Sequence, residues 1–420
     1  MNLAYNIFIY LYGLGISIAS HFNSKAKLWK SGRKGWKKRL KNTIHPDDKI
    51  IWIHCSSLGE FEQGRPVMER IKKEFPSHKL AVSFFSPSGY EVRKEYKGAD
   101  YIFYLPLDTP RNAKKLIKLL HPEVLILVKY EYWYNLLNRL SKKKIPVIVI
   151  SAVIKENSLF FRSFGNWFRK KIATIHHFFV QDTDSKNLLN SIGIENITVS
   201  GDTRFDRVKE IQASNSKLDF IETFKGNTQL IVAGSTWPDD ESILAQFINN
   251  ELPNNWKVVF APHNIKKTEI QNLKSELNLP TVIYTQSDKS EIQNARILIV
   301  DTVGMLTDIY RYADISYVGG GFTKTGVHNT LEPTVFGVPI LFGPNYQNYF
   351  EAIDLVEYKA AVSFKDNYDF DKKISILIEN ENERIQRGKK AYDYIQEKPN
   401  SSELILDYLR KHLVNQNTFS

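Results

Sequence analysis

Three consecutive glycines, Gly319, Gly320 and Gly321, close a short apolar run at the start of the stretch 316–349, SYVGGGFTKTGVHNTLEPTVFGVPILFGPNYQNY. A polar loop, an expected helix over 329–336 and a second apolar run over 338–342 follow, ending in Gly343-Pro344. Strand, glycine loop, helix and strand make one turn of a doubly wound α/β sheet, in which ligands sit outside the carboxyl ends of the strands. Glycines let the backbone come close to a phosphate, and a helix start offers unpaired N–H groups to it. Glu332 falls in the expected first helical turn, where a carboxylate can accept from ribose hydroxyls. This is the chemistry of a sugar-nucleotide site. The alternative is a structural loop between two strands, because three glycines match no strict phosphate-loop pattern.

Other groups capable of chemistry also follow apolar runs. His54-Cys55-Ser56-Ser57-Leu58-Gly59-Glu60 follows IIWI, and Lys129-Tyr130-Glu131-Tyr132-Trp133 follows a run over 124–128. In the second half, Gly234-Ser235-Thr236-Trp237 follows 229–233, Ala261-Pro262-His263-Asn264 follows 257–260, and Asp301-Thr302-Val303-Gly304 follows 297–300. Ser235 and Thr236 can give hydroxyl or N–H donors to a phosphate. No paired-acid motif of the kind that brings a divalent ion to a phosphate ends an apolar strand; Asp239-Asp240 follows Pro238 as a helix cap, so no metal and no cofactor are expected.

Strands alternating with helical patterns at this interval predict βα units and parallel sheets. The first set runs to Gly201-Asp202-Thr203-Arg204-Phe205-Asp206, and a second begins at 229. The expected division is an apolar membrane-anchoring segment over 1–24, a Rossmann-like acceptor domain over 25–207, a linker over 208–228, a Rossmann-like donor domain over 229–385 and C-terminal helices over 386–420. A basic aromatic helix is expected over 159–175. The fold class is α/β, with two Rossmann-like domains facing across a cleft.

Length agrees with two domains, since 420 residues exceed what one core usually serves. A hydrophobic content of 42% suffices for both cores. The formal charge of +11 implies a negative partner: nucleic acid, an anionic bilayer or a phosphorylated substrate. One cysteine, Cys55, excludes an intramolecular disulfide. Residues 1–23 carry no Lys, Arg, Asp or Glu, whereas nine basic and no acidic residues lie between Lys25 and Lys41. An apolar segment followed by a cationic flank points to attachment at the cytoplasmic side of a membrane, as a span or as an interfacial helix. Nucleic acid is not expected, because RNA binding would want a basic face with aromatic stacking platforms.

HCSSLGE (54–60), KYEYWYN (129–135), GDTRFD (201–206), AGST (233–236), HNTLEP (328–333) and FGPNYQNY (342–349) occur in that order. Together they resemble the 3-deoxy-D-manno-octulosonic acid (Kdo) transferases, inverting glycosyltransferases of the two-Rossmann-domain GT-B type, over essentially the whole chain. The resemblance implies transfer of Kdo from CMP-Kdo to the lipid A precursor, lipid IV-A, at the cytoplasmic face of the inner membrane in lipopolysaccharide synthesis. It makes Glu60 the general base. It places Glu131 in acceptor placement or loop support, in a motif where Val128, Lys129 and Tyr130 depart from the usual Met-Glu-Thr. On the donor side it implies Arg204 at the phosphate and His263 in a loop that lacks the family's arginine and acid. Gly304 lies in a loop where Met305 replaces a glutamate. Gly320, Gly321, Asn329, Thr330 and Glu332 would hold CMP, with Gln347 and Asn348 in a polar loop facing the donor. The rivals are another two-Rossmann-domain enzyme, a UDP-sugar transferase or epimerase, and more remotely a membrane-associated nucleic-acid-binding protein.

Overall fold

The computed structural model describes residues 2–162, 165–214 and 216–413. Met1, Ser163, Phe164, Asn215 and residues 414–420 lie outside the described residues, and with them parts of the expected N-terminal segment, aromatic helix, linker and C-terminal helices.

The chain forms two compact units, residues 1–206 with 399–420, and residues 207–398. The first is built on β1 (Ile50–Cys55), β2 (Lys79–Phe84), β3 (Tyr101–Tyr104), β4 (Pro122–Val128), β5 (Val147–Ala152), β6 (His177–Val180) and β7 (Ile197–Val199). Their order in the sheet is β3-β2-β1-β4-β5-β6-β7, with every pair parallel. Every residue of β1 is buried, because helices cover both faces of a parallel sheet. Side chains alternate between the two cores: Ile50 and Trp52 join one, Ile51, Ile53 and Cys55 the other.

The second unit carries β8 (Gln229–Thr236), β9 (Trp256–Pro262), β10 (Thr281–Ile283), β11 (Ile297–Ile299), β12 (Ile315–Val318), β13 (Ile340–Phe342) and β14 (Ala361–Ser363), in the order β10-β11-β9-β8-β12-β13-β14 and again all parallel. Ile231 and Ala233 of β8 face one core, Leu230 and Val232 the other.

Both sheets reverse their direction of growth at the middle. In the first, β2 and β3 add on one side of β1 before β4 joins the other. In the second, β9 to β11 lie on one side of β8 and β12 to β14 on the other. Loops leaving β1 and β4, and those leaving β8 and β12, therefore diverge and open a crevice in each unit.

Several expected boundaries differ. The segment 208–228 is largely helical, in Arg204–Ala213 and Asp219–Lys225. The C-terminal segment divides between units. The helix Glu381–Gln396 stays with the second, whereas Ser401–Leu413 returns to the first and sets Ile405, Leu406 and Leu409 against Phe61, Val67 and Ile71. Asp206 fixes that return by accepting from the Ser401 and Ser402 amides at 3.2 and 2.6 Å, at the start of the helix. An amphipathic pattern records that a helix needs an apolar surface, but not which one. The aromatic segment over 159–175 is not one helix: a 3₁₀ turn, Leu159–Phe161, and a helix, Asn166–Ile172, flank Gly165.

At the N-terminus a helix spans Asn2–Ala19. Tyr5 donates to Asp108 at 2.7 Å, and Ile9 is buried, while Leu3, Phe8, Leu11, Leu14 and Ile18 are exposed. Among the described residues no helix is long and apolar enough to cross a membrane.

Candidate active site

In the first unit the chemistry gathers where β1 and β4 end. Ser57 caps the helix Leu58–Glu74, so Glu60 stands in a helical first turn and not in an open loop. The Glu60 carboxylate accepts from the Ser56 amide. Burial, and then the charge of Glu131, push its pKa up to about 7; the Ser56 amide and Lys129 oppose them. Glu131 comes from the loop after β4, and burial raises its pKa while the Ser56 side chain lowers it. Lys129, the first residue beyond β4, has φ +65°, a conformation uncommon outside glycine and characteristic of functional loops.

An aromatic hydrogen bond locks this loop. The Trp133 indole N–H donates to His54 Nε2 at 3.2 Å. Because an indole nitrogen only donates, His54 is a neutral imidazole whose Nδ1–H faces Ser83 Oγ at 2.9 Å. Full burial lowers the His54 pKa to about 3, so it stays neutral. The two motifs that supply Glu60 and Glu131 are thereby joined by a hydrogen bond as well as by adjacent strands.

Arg204 also belongs to the first unit, apart from the donor loops with which the sequence grouped it. Its guanidinium pairs at 2.9 Å with Asp202, which is fully buried and also accepts from Gln63 and Gln181 at 2.8 and 3.1 Å. A buried carboxylate needs such a cation and such donors, which accounts for where Arg204 points.

In the second unit the loops after β8, β9 and β12 converge. Ser235, at φ +54°, and Thr236 end β8. A Cβ on Gly319 would lie 2.3 Å from the Ser235 carbonyl oxygen, and one on Gly321 would lie 2.5 Å from the Gly343 nitrogen, so backbone packs directly on backbone. Gly320, at φ +90°, donates its N–H to Asp240 Oδ2 at 2.9 Å. That carboxylate also accepts from the Trp237 amide and the Tyr317 hydroxyl, tying the glycine loop to the start of the helix Pro238–Glu251. The Thr236 hydroxyl donates to Glu241 at 2.8 Å, so it is occupied within the protein.

His263 stacks on both Trp237 and His328, with ring centroids 4.5 and 4.6 Å apart. Trp237 and His328 are nearly coplanar, at 5°, and the indole N–H donates to His328 Nε2 at 2.9 Å. Burial, then the nearby His263, lowers the His328 pKa to about 4; burial lowers that of His263 too. Asn329 donates to Glu332 at 2.9 Å on the exposed side of the loop, whereas Thr330 is fully buried. The helix expected over 329–336 is a single turn, Leu331–Thr334, cut short at Gly337 with φ +69°. Its start is too brief to act as an anion site, and the Gly319 and Gly320 N–H groups are already donated, to the Gly234 carbonyl and to Asp240. Gln347 and Asn348 are exposed on the loop after β13, with the Gln347 amide turned to the Pro344 carbonyl at 2.9 Å. Gly304, at φ +94°, sits beyond the end of β11, which β9 separates from β8. Among the described residues no group of three or more His, Cys, Asp or Glu side chains could hold a metal.

Ser235, Thr236, His263, Gly320, Gly321 and the 328–332 segment are thus brought to one crevice. Sequence reasoning gave Ser56, Trp237 and His328 no role of their own and read Asp240 only as a helix cap. Each lies one to four residues from a residue that it did single out; a tryptophan directly after a strand-ending Gly-Ser-Thr was the available signal.

The architecture is similar to that of a UDP-GlcNAc 2-epimerase from Neisseria meningitidis bound to UDP-GlcNAc, with a TM-score of 0.58 over 86% of this chain and all of that one at 16% identity. Two Rossmann-like units with parallel sheets match the GT-B fold. Residues 34–207 match the family model of the 3-deoxy-D-manno-octulosonic-acid transferases (kdotransferases). The chain is 27% identical over 355 residues to the 3-deoxy-D-manno-octulosonic acid transferase of Chlamydophila psittaci, covering 81% of this chain and 80% of that one. It is 25% identical to that of Haemophilus influenzae over 382 residues, 89% of each. The chain is thus similar to the Kdo transferases over most of its length, and these matches support a glycosyltransferase function.

Proposed function

We propose that this glycosyltransferase moves Kdo from CMP-Kdo to lipid IV-A, the lipid A precursor, with inversion at the anomeric carbon. The observation that carries the reading is Glu60, a buried carboxyl poised near neutrality at the crevice of the first unit. A general base works best when its pKa lies near the working pH. As the acceptor hydroxyl oxygen attacks the anomeric carbon, Glu60 takes its proton, the bond from that carbon to the CMP phosphate breaks, and CMP leaves as an anion. The leaving group needs oriented N–H donors more than it needs an acid. In the second unit Gly320, Gly321 and Ser235 bring backbone to the phosphate, His263 lies beside it, and Asn329 and Glu332 take the ribose. Gly304, Gln347 and Asn348 border the donor, while Thr236, Thr330 and Arg204 support the loops from within.

The exposed apolar side of the helix Asn2–Ala19, followed by the basic residues 25–41, fits a helix lying in the interface of an anionic bilayer, the cytoplasmic face of the inner membrane. Co-flotation with anionic vesicles that weakens on replacing Phe8 and Leu11 by Ser is the expected result.

Mass spectrometry of the product from the purified chain, CMP-Kdo and a tetraacylated lipid A precursor tests the reaction. A lipid heavier by Kdo, with CMP released, is expected, along with thermal protection by CMP in preference to UDP. Protection by UDP alone and no Kdo-bearing lipid would overturn the proposal.

A further inference from the structure

In the first unit the helices Pro110–Leu120 and Tyr134–Lys142 pack together and end at the N-terminal ends of β4 and β5. This is the edge of the sheet opposite to the loops that carry Glu60 and Glu131. A cavity of about 390 Å³ opens there. Lys114 and Lys118 line it from one helix, Arg139 and Lys143 from the other, with His121 and apolar side chains completing a lining that holds no acidic residue. We propose that this cavity is an anion site for a diphosphate group, away from the catalytic crevice of the same unit.

Spacing makes the four cations costly. Lys114 and Lys118 stand one helical turn apart, as do Arg139 and Lys143, so each pair shares a face and repels. Other helices of the chain match such pairs in charge: Arg65 with Glu69 at 2.8 Å, Lys373 with Asp369 at 2.8 Å and Arg387 with Glu383 at 2.7 Å. The neighbouring acids are engaged elsewhere. Glu123 pairs with His78 at 2.9 Å. Asp48, whose carbonyl oxygen meets His121 Nε2 at 3.1 Å, gives its carboxylate to the Tyr101 hydroxyl and the His45 amide. Arg139 carries the strongest sign of a missing anion. It is half-buried, and its Nε is shielded from solvent yet meets no hydrogen-bond acceptor among the described residues. A donor buried without an acceptor has lost its water and gained nothing in return. A phosphate oxygen restores that bond, and a guanidinium grips such a group with paired N–H donors. Helix dipoles account for Lys118 and Arg139, which lie in last turns, but not for Lys114, one turn further in. A single phosphate carries about two negative charges at neutral pH, so two joined phosphates balance four cations better than one does. The diphosphate can arrive on a soluble molecule or on a lipid headgroup.

The test titrates the full chain with inorganic pyrophosphate by calorimetry and follows its thermal melts. Pyrophosphate should bind, raise the melting temperature and bind more weakly as salt rises. Lys114→Gln combined with Lys118→Gln, at two exposed positions, should weaken binding by about tenfold or more, and so should Arg139→Gln. Lys372→Gln combined with Lys389→Gln removes the same charge from exposed positions in the second unit and should leave binding within about twofold. The lysine pair decides the matter if Arg139→Gln does not fold. A second arm floats the chain with phosphatidylcholine vesicles that carry or lack a lipid with a diphosphate headgroup. A response to free pyrophosphate identifies a soluble source. Binding that needs the diphosphate lipid, is lost in the cavity variants and has no counterpart with free pyrophosphate identifies a headgroup. Either result supports the site. Absence of both, binding that the cavity variants leave unchanged, or orthophosphate binding as tightly as pyrophosphate overturns the proposal.

Discussion

The two crevices share one topology and one locking device, yet their chemistry is opposite. In the first unit an indole N–H from Trp133 fixes neutral His54; in the second, Trp237 does the same to His328. Each unit also sets a non-glycine residue at positive φ at the end of a central strand, Lys129 just past β4 in one and Ser235 within the last two residues of β8 in the other. What differs is the lining. The first crevice is built from side chains, with two carboxyls raised by burial, Glu60 also by the charge of Glu131. The second is built from backbone, with glycines packed so closely that a methyl group has no room. A proton acceptor must be a titratable side chain, whereas a phosphate is well held by main-chain N–H groups. The same scaffold therefore serves either task, and the residues at the strand ends choose between them.

Removing the carboxylate from the first crevice should have the largest effect. Glu60→Gln should cut turnover by roughly 10²- to 10⁴-fold while CMP affinity, measured by titration calorimetry, stays unchanged. Loss of CMP binding in this variant would break the division of labour between the units.

The same variant should be more stable than the parent. A carboxyl whose folded pKa lies above its unfolded value holds a proton that the unfolded chain has released, so its contribution to stability falls as pH rises from about 4 to about 7 and then levels off. Glu60, at about 7, is such a group. Thermal melts should show Glu60→Gln ahead of the parent at pH 7.5, by at most about 3 kcal/mol, with the gap closing by pH 4.5. Equal melting curves at pH 7.5 would mean that the first crevice carries no strain of this kind.

Glycine should respond in opposite ways in the two units. Gly319→Ala sets a Cβ 2.3 Å from a backbone oxygen, so the β8 and β12 loops must part. A loss of about 1–3 kcal/mol in chemical denaturation, with weakened CMP binding, is expected. Gly59→Ala meets nothing within 4 Å and sits in a helix, so a gain of up to about 1 kcal/mol is expected there. A destabilised Gly59→Ala would show that the first crevice is as backbone-tight as the second.

The fully buried strands were legible because a parallel sheet covered on both faces demands continuous apolar runs. IIWI, VLILV and IPVIVI announce β1, β4 and β5, and LIVA announces β8. The short edge strands β7 and β14 were not, since three residues with one covered neighbour leave little pattern. Glu60, Glu131 and the glycine loop could be read because each directly follows such a run, and loops after parallel strands are where ligands bind. Their partners could not. Trp133 on His54, Asp240 on Gly320 and Trp237 on His328 join residues 79, 80 and 91 positions apart, on loops that leave different strands. Local sequence specifies which strands and helices form, through burial period and capping. Which indole meets which imidazole, how closely two carboxylates approach, and which sheet receives the last helix depend on strand order and on long-range packing, and a linear pattern carries neither.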